Sequence, residues 1–237
     1  MQHPPLLRLA PSRALKEKRL TALLGDRSER DPLLREAVEE EQVVGSLALS
    51  GLTAEATDVR AARRREAAPE AVRGLMAALR AVEPDAPLSV RALAAWHAAV
   101  VDGGGRFREA ERARDGGPPA APAAFVSSRL EILQQWLQVE SCRELTPAQL
   151  GALALARIVE ILPFADGNGR VARLAASHLM ARAGARVPIL VAADEPRLRQ
   201  ALQAAFQLHT EPLASLLEEA SERSLDAMIR ALEPGSF

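Results

Sequence analysis

Tyrosine is absent from the 237 residues, and phenylalanine and tryptophan occur only five times and twice. β-Branched runs are also short and few, so a sheet-built core has little to draw on. The single cysteine, Cys142, excludes an intramolecular disulfide and cannot supply a thiolate-rich metal site. The formal net charge is −1, which gives no field suited to nucleic acid or to a membrane surface. No run of about 18 apolar residues of the kind that spans a bilayer is present. The opening "MQHPPLLRLAPSRALKEKRL" interrupts its apolar residues with prolines and charges, where a signal peptide needs an unbroken segment. These absences lead us to expect a soluble, cytoplasmic chain, with neither nucleic acid nor membrane among its partners.

What remains favours helix. The chain is 48% hydrophobic and 26% charged, dominated by Ala, Leu, Arg, Glu and Gln, all good helix formers. Helices are expected over residues 31–49, 53–65, 69–82, 89–101, 122–139, 146–162, 168–184, 195–207 and 211–232. Ser89 stands as an N-cap before "VRALAAWHAAVV", and Thr146-Pro147 offers a cap and a first-turn proline before "AQLGALALARIVEIL". Gly184 is placed to end the helix begun near residue 168. Residues 102–123 have turn chemistry at both ends and charge between, and are expected to form a loop, with or without a short hairpin. Residues 1–30 are expected as an arm or an extra helix. "RAARRRE" (60–66) is expected to be a solvated helix face, because acidic residues surround it. Trp96 and Trp136, on apolar helix faces, are expected in the core.

Chemistry concentrates in "ILPFADGNGRVARLAA", residues 161–176. A helix N-terminus exposes unpaired N–H groups and partial positive charge. Glycines just before it allow the backbone to curl into an anion-binding nest. Asp166-Gly167-Asn168-Gly169 has that composition, and the Asn168 amide is a candidate side-chain donor. Arg170 and Arg173, three residues apart, leave the first turn on the same side. Asp166 would repel a bare phosphate, but fits beside phosphates bridged by Mg²⁺. The same four residues also make an ordinary turn with an N-cap; the two arginines in register favour a di- or triphosphate site.

"LPFADGNGRVAR" resembles the Fic (Fic/Doc, Fido) signature, His-Pro-Phe-x-Asp-Gly-Asn-Gly-Arg-x-x-Arg. Flanking similarity runs over roughly residues 40–217. It includes "GGGRFR", similar to the Gly-x-Phe-Arg turn before the family's flap, and "SLALSGL", similar to the Ser-x-x-x-Glu-Gly segment of an inhibitory helix. The resemblance implies an all-α Fic-like domain with a short flap or hairpin and an N-terminal helical extension. Its expected divisions are an arm at 1–30, an inhibitory-helix-like region at 31–66, the core at 67–220, and a terminal helix and tail at 221–237. It further implies a nucleoside triphosphate, ATP first, with Mg²⁺ on Asp166. Gly167, Asn168 and Gly169 would form the anion hole, Arg170 would bind phosphates and take part in catalysis with Asn168, Arg173 would meet the γ-phosphate, and Phe164 would pack in the core. Homodimers are common in the family.

Two departures bear on activity. The family's general base is the histidine that begins the signature, and that position is Leu162, which cannot accept a proton. General-base assistance is typically worth about 10²–10⁴-fold, so AMPylation of a protein hydroxyl should be impaired. His97, His178, His3, His209 and Glu160 offer no convincing substitute by position. In the inhibitory segment Ser46 and Gly51 match, but Ser50 replaces the glutamate, so Arg173 is expected to be unrestrained. A charged flap poor in β-formers also weakens the case for target recognition by strand pairing. Two functions remain: an atypical nucleotidyl or phosphate-group transferase using an already ionised acceptor of unknown identity, or an inactive nucleotide-binding pseudoenzyme or regulatory interaction protein.

Overall fold

Helix starts follow the caps written into the sequence. In the computed structural model, which describes residues 6–28, 31–113 and 119–233, Asp31 accepts from the Leu33 N–H, with Pro32 beginning the helix. Ser89 accepts from the Ala92 N–H at 3.1 Å, and Thr146 and Gln149 form a reciprocal capping box ahead of Pro147. Ten α-helices result among the described residues: α1 (Leu6–Leu24), α2 (Pro32–Ala48), α3 (Ala56–Arg63), α4 (Glu70–Arg80), α5 (Val90–Val100), α6 (Val126–Trp136), α7 (Pro147–Ile161), α8 (Asn168–Arg182), α9 (Glu195–Phe206) and α10 (Glu211–Leu232). The fold is all-α, as expected.

The described part of the N-terminal stretch is helix α1 rather than an extended arm; His3 lies outside the described residues, as do 29–30, 234–237 and the flap's 114–118. The described flap residues contain no strand, in keeping with their low β-propensity. The expected end of the core at residue 220 falls inside α10, which runs unbroken to Leu232.

The α7–α8 hairpin is the centre. Small residues let the two helices approach: α7 buries Gly151, Ala152 and Ala154, and α8 buries Ala172, Ala175 and Ala176. Gly184, at φ 82, closes α8 in the left-handed conformation. α10 packs across α7, and α1 lies on α10 through Leu20, Leu225 and Ile229, with Lys16 2.8 Å from Asp226.

α2 matters most for the site. Its position is set by Gly45, where a Cβ would lie 1.9 Å from the Leu190 carbonyl oxygen, so only glycine permits this approach. Arg60 and Arg63 of α3 pair with Glu40, Glu36 and Glu39 of α2. The basic stretch 60–66 is therefore an ion-paired face, in line with its acidic surroundings. Trp96 is buried at 3% exposure, but Trp136 is 38% exposed. The expectation of a core Trp136 is wrong because no described element covers that side of α6.

Candidate anion and nucleotide site

The loop between α7 and α8, residues 162–167, is built by buried side chains from three directions. Leu162 ends α7 in the left-handed region, at φ 49 and ψ 64. That conformation costs a non-glycine residue about 1–2 kcal/mol. It is held from outside: the buried Arg108 donates from Nε to the Leu162 carbonyl at 2.6 Å and from Nη2 to the Ile161 carbonyl at 3.3 Å. The Arg108 N–H donates to Pro163 O at 2.9 Å. Arg108, the arginine of the Gly-x-Phe-Arg turn, thus satisfies the orphan carbonyls at the end of α7.

Phe164 is fully buried, as expected. Asn168 reaches back to it, Oδ1 accepting from the Phe164 N–H at 2.9 Å and Nδ2 donating to the Phe164 carbonyl at 2.8 Å. The expectation of a side-chain donor aimed at phosphate is corrected here. The Asn168 amide closes the loop, leaving its backbone N–H for an anion.

His97 forms the third clamp. Its Nδ1 accepts from the Gly105 N–H at 2.7 Å, which fixes the proton on Nε2, and Nε2 donates to the Asp166 carbonyl at 3.0 Å. The ring lies flat on Phe164, with centroids 3.8 Å apart. Burial is the main cause that holds its pKa below the usual histidine value, opposed by the Asp166 carbonyl. With both nitrogens engaged, His97 is structural. His178 lies two turns down α8, edge-on to Trp96, and is likewise pushed down by burial.

These clamps present the start of α8. Gly167 is the N-cap at φ 70, and a Cβ there would meet Val101 Cγ2 at 2.7 Å. No side chain caps the helix, in contrast to α2, α5 and α7, so its first N–H groups have no side-chain acceptor. The Asp166 side chain is 79% exposed, 3.5 Å from Arg170 Nη2. Arg170 is buried, donating from Nη1 to the Val100 carbonyl at 2.6 Å, while its Nε is buried without a partner.

Arg173 is not unrestrained, correcting the expectation from Ser50. Nε donates to Ser46 Oγ at 3.0 Å, and Nη2 donates to the Ser46 carbonyl and to Ser50 Oγ, both at 2.7 Å. Gly51, at φ 71, turns the chain out of α2 just beyond Ser50. All these acceptors are neutral. Burial, with Arg170 nearby, lowers the Arg173 pKa to about 10. Gly169 lies directly under this guanidinium, where a Cβ would come within 3.1 Å of Nη1. The i, i+4 pair Ser46–Ser50 was visible in sequence, but its bonds to a residue 127 and 123 positions away were not.

The arrangement unites an uncapped helix start and two arginines, of which, among the described residues, only Arg170 has a carboxylate nearby. One exposed carboxylate suits a cation that arrives with a polyphosphate. Among the described residues no cluster of three or more His, Cys, Asp or Glu could hold a metal by itself.

Comparison with known proteins agrees with this fold. Protein adenylyltransferase Fic of Drosophila grimshawi is 32% identical over 130 residues, spanning 54% of this chain but only 26% of that protein. Fic-1 (aa134–508) from C. elegans superposes with a TM-score of 0.74 at 24% identity, covering 94% of this chain and 74% of that one. A Fic domain containing signaling protein from Bacteroides thetaiotaomicron gives 0.78 at 19% identity, covering 93% and 97%. The Fic/DOC family model matches residues 87–180, from just before the α5 cap to within α8. Residues 87–180 are therefore identified as a Fic/DOC domain within the chain.

Proposed function

We propose that the chain binds a nucleoside triphosphate, ATP first, at the start of α8, and transfers a nucleotidyl or other phosphate-containing group to an acceptor that is already ionised. The observation that carries this reading is Arg173: a surrounded cation beside an uncapped helix start, held only by neutral oxygens. Such a charge gains from a phosphate what serine hydroxyls cannot supply. The N–H groups of residues 168–170 would receive the inner phosphates, with Arg173 meeting the outermost. Asp166 would hold Mg²⁺, which when bound would neutralise phosphate charge. Curated relatives named as protein adenylyltransferases support the transferase class.

Leu162 cannot take a hydroxyl proton, and His97 has both ring nitrogens engaged. A carboxylate or phosphate acceptor is ionised near neutral pH and needs none taken. Its oxygen attacks phosphorus, a new P–O bond forms, and the bond to the leaving phosphate or pyrophosphate breaks with its electron pair. The backbone N–H groups stabilise the charge that develops, commonly the larger contribution to catalysis.

The same absence of a base favours one alternative, a nucleotide-binding pseudoenzyme. A nucleotide panel with Mg²⁺ separates them, following binding by calorimetry and turnover by released phosphate or pyrophosphate, with Arg173→Ala beside wild type. Turnover across a set of carboxylate and phosphate acceptors supports transfer. Binding that is lost in Arg173→Ala, with no turnover, supports the sensor. No binding by wild type refutes both.

A further inference from the structure

Trp136 is one of two tryptophans in the chain, and it stands in the open. Its residue is 38% exposed, while Trp96 is 3% exposed. Ile132, one turn earlier on α6, is 62% exposed. These two side chains line a groove of ≈ 400 Å³ between α6 and α7. The buried Leu133 and Ile161 and the half-buried Leu153 complete its apolar lining. Small-molecule sites are mostly apolar with a few placed polar groups, in volumes of about 300–1,000 Å³, and this groove has that character.

Charge selects the occupant. Arg129 of α6 and Arg157 and Glu160 of α7 also line the groove. Arg157 donates to Glu160, three residues on, so those two charges compensate each other. Arg129 is exposed and has no ion-pair partner among the described residues. It precedes Ile132 by three residues and Trp136 by seven, and so shares their face of α6. The groove therefore carries one surplus positive charge over an apolar lining. We infer that it binds a monocarboxylate on a short hydrocarbon chain, the chain lying against Ile132, Trp136 and Leu153 and the carboxylate meeting Arg129. A guanidinium offers two parallel N–H donors to the two oxygens of a carboxylate. A phosphate monoester, at about −1.5 to −2, would bring more negative charge than Arg129 offsets, close to Glu160. A peptide would bring backbone N–H and C=O groups that find few polar partners on this lining. The inference stands apart from the nucleotide reading and needs no residue of the anion site.

Octanoate titrated into the full chain, well below its micelle concentration, tests it by calorimetry and by tryptophan fluorescence. One octanoate should bind per chain, and Trp136 emission should move to shorter wavelength as water leaves the indole. Trp136→Phe should lose that shift, because the buried Trp96 adds only a constant background. Hexanoate should bind ~10-fold more weakly, since two fewer methylenes leave water. Octylammonium, the same chain with the opposite charge, should bind about 5-fold more weakly than octanoate. Arg129→Gln should abolish that preference and Arg129→Glu should reverse it, both with the thermal transition of wild type because residue 129 is exposed. Absence of binding, uptake that does not saturate, or binding that leaves Trp136 emission unchanged overturns the proposal. So does equal affinity for octanoate and octylammonium, or a preference that Arg129→Gln leaves intact.

Discussion

Replacing Ser50 with glutamate asks whether the neutral contact on Arg173 governs ligand access. At present Nη2 donates to Ser50 Oγ at 2.7 Å, and no carboxylate contacts the guanidinium among the described residues. A glutamate on the same turn of α2 would replace a neutral bond by a charge-assisted one, which contributes about 1.5–3 kcal/mol against about 1 for its neutral counterpart. The net gain of about 0.5–2 kcal/mol should raise the melting temperature by roughly 1–8 °C for a chain of this size. A phosphate reaching Arg173 would first have to displace the carboxylate, so nucleotide affinity should fall by roughly 2- to 30-fold. Calorimetric titration with Mg²⁺ and a nucleoside triphosphate measures the second effect, and scanning calorimetry without ligand the first. Ser50→Gln supplies the same length without charge. If Ser50→Glu neither stabilises the protein nor weakens binding more than Ser50→Gln does, the carboxylate is not reaching Arg173 and the reasoning fails. In an Arg173→Ala background the glutamate should have lost both effects.

Leu162→His should raise transfer to a hydroxyl acceptor by about 10²–10⁴-fold, measured as nucleotide incorporated into a serine-containing substrate; an unchanged rate would mean that residue 162 does not face the acceptor. Asn168→Ala removes both bonds to Phe164 and leaves a buried N–H without its partner, so stability in urea should fall by about 2–4 kcal/mol. Asp166→Asn, at an exposed side chain, should leave urea stability nearly unchanged but abolish the Mg²⁺ dependence of nucleotide binding. Burial holds the His97 pKa below its ordinary value of about 6.5, so the unfolded chain binds the proton more readily. The stabilisation is therefore complete above about pH 6.5 and declines as pH falls through the folded-state value; in His97→Gln the slope of unfolding free energy against pH should be shallower over that window.

The helices were legible because their ends are written locally. Ser89, Thr146-Pro147 and Gly184 act within a turn of where they stand, and the structure uses each in the expected way. The cluster around residues 162–173 was legible as composition, but the roles of its side chains were not. Asn168 turns inward because Phe164 leaves two buried backbone groups to satisfy, and Arg173 turns to α2 because Gly45 brings that helix close. Both outcomes depend on packing between distant segments, to which pattern and propensity are blind. Trp136 failed for a similar reason: a helical apolar face shows that something can cover it, not that the same chain does.

The left-handed Leu162 is held by its surroundings and not by its own side chain. Leucine has no preference for this conformation, and a β-carbon there carries a cost. The conformation persists because three clamps over-determine it: Arg108 on the carbonyls of Ile161 and Leu162, Asn168 around Phe164, and His97 on the carbonyl of Asp166. None of them involves the side chain at 162. The loop and the start of α8 should thus keep their geometry whichever side chain occupies that position, histidine or leucine. On the proposed reading, anion binding and proton removal are then separable: the buried clamps set the geometry needed for the first, and the side chain at 162 bears only on the second.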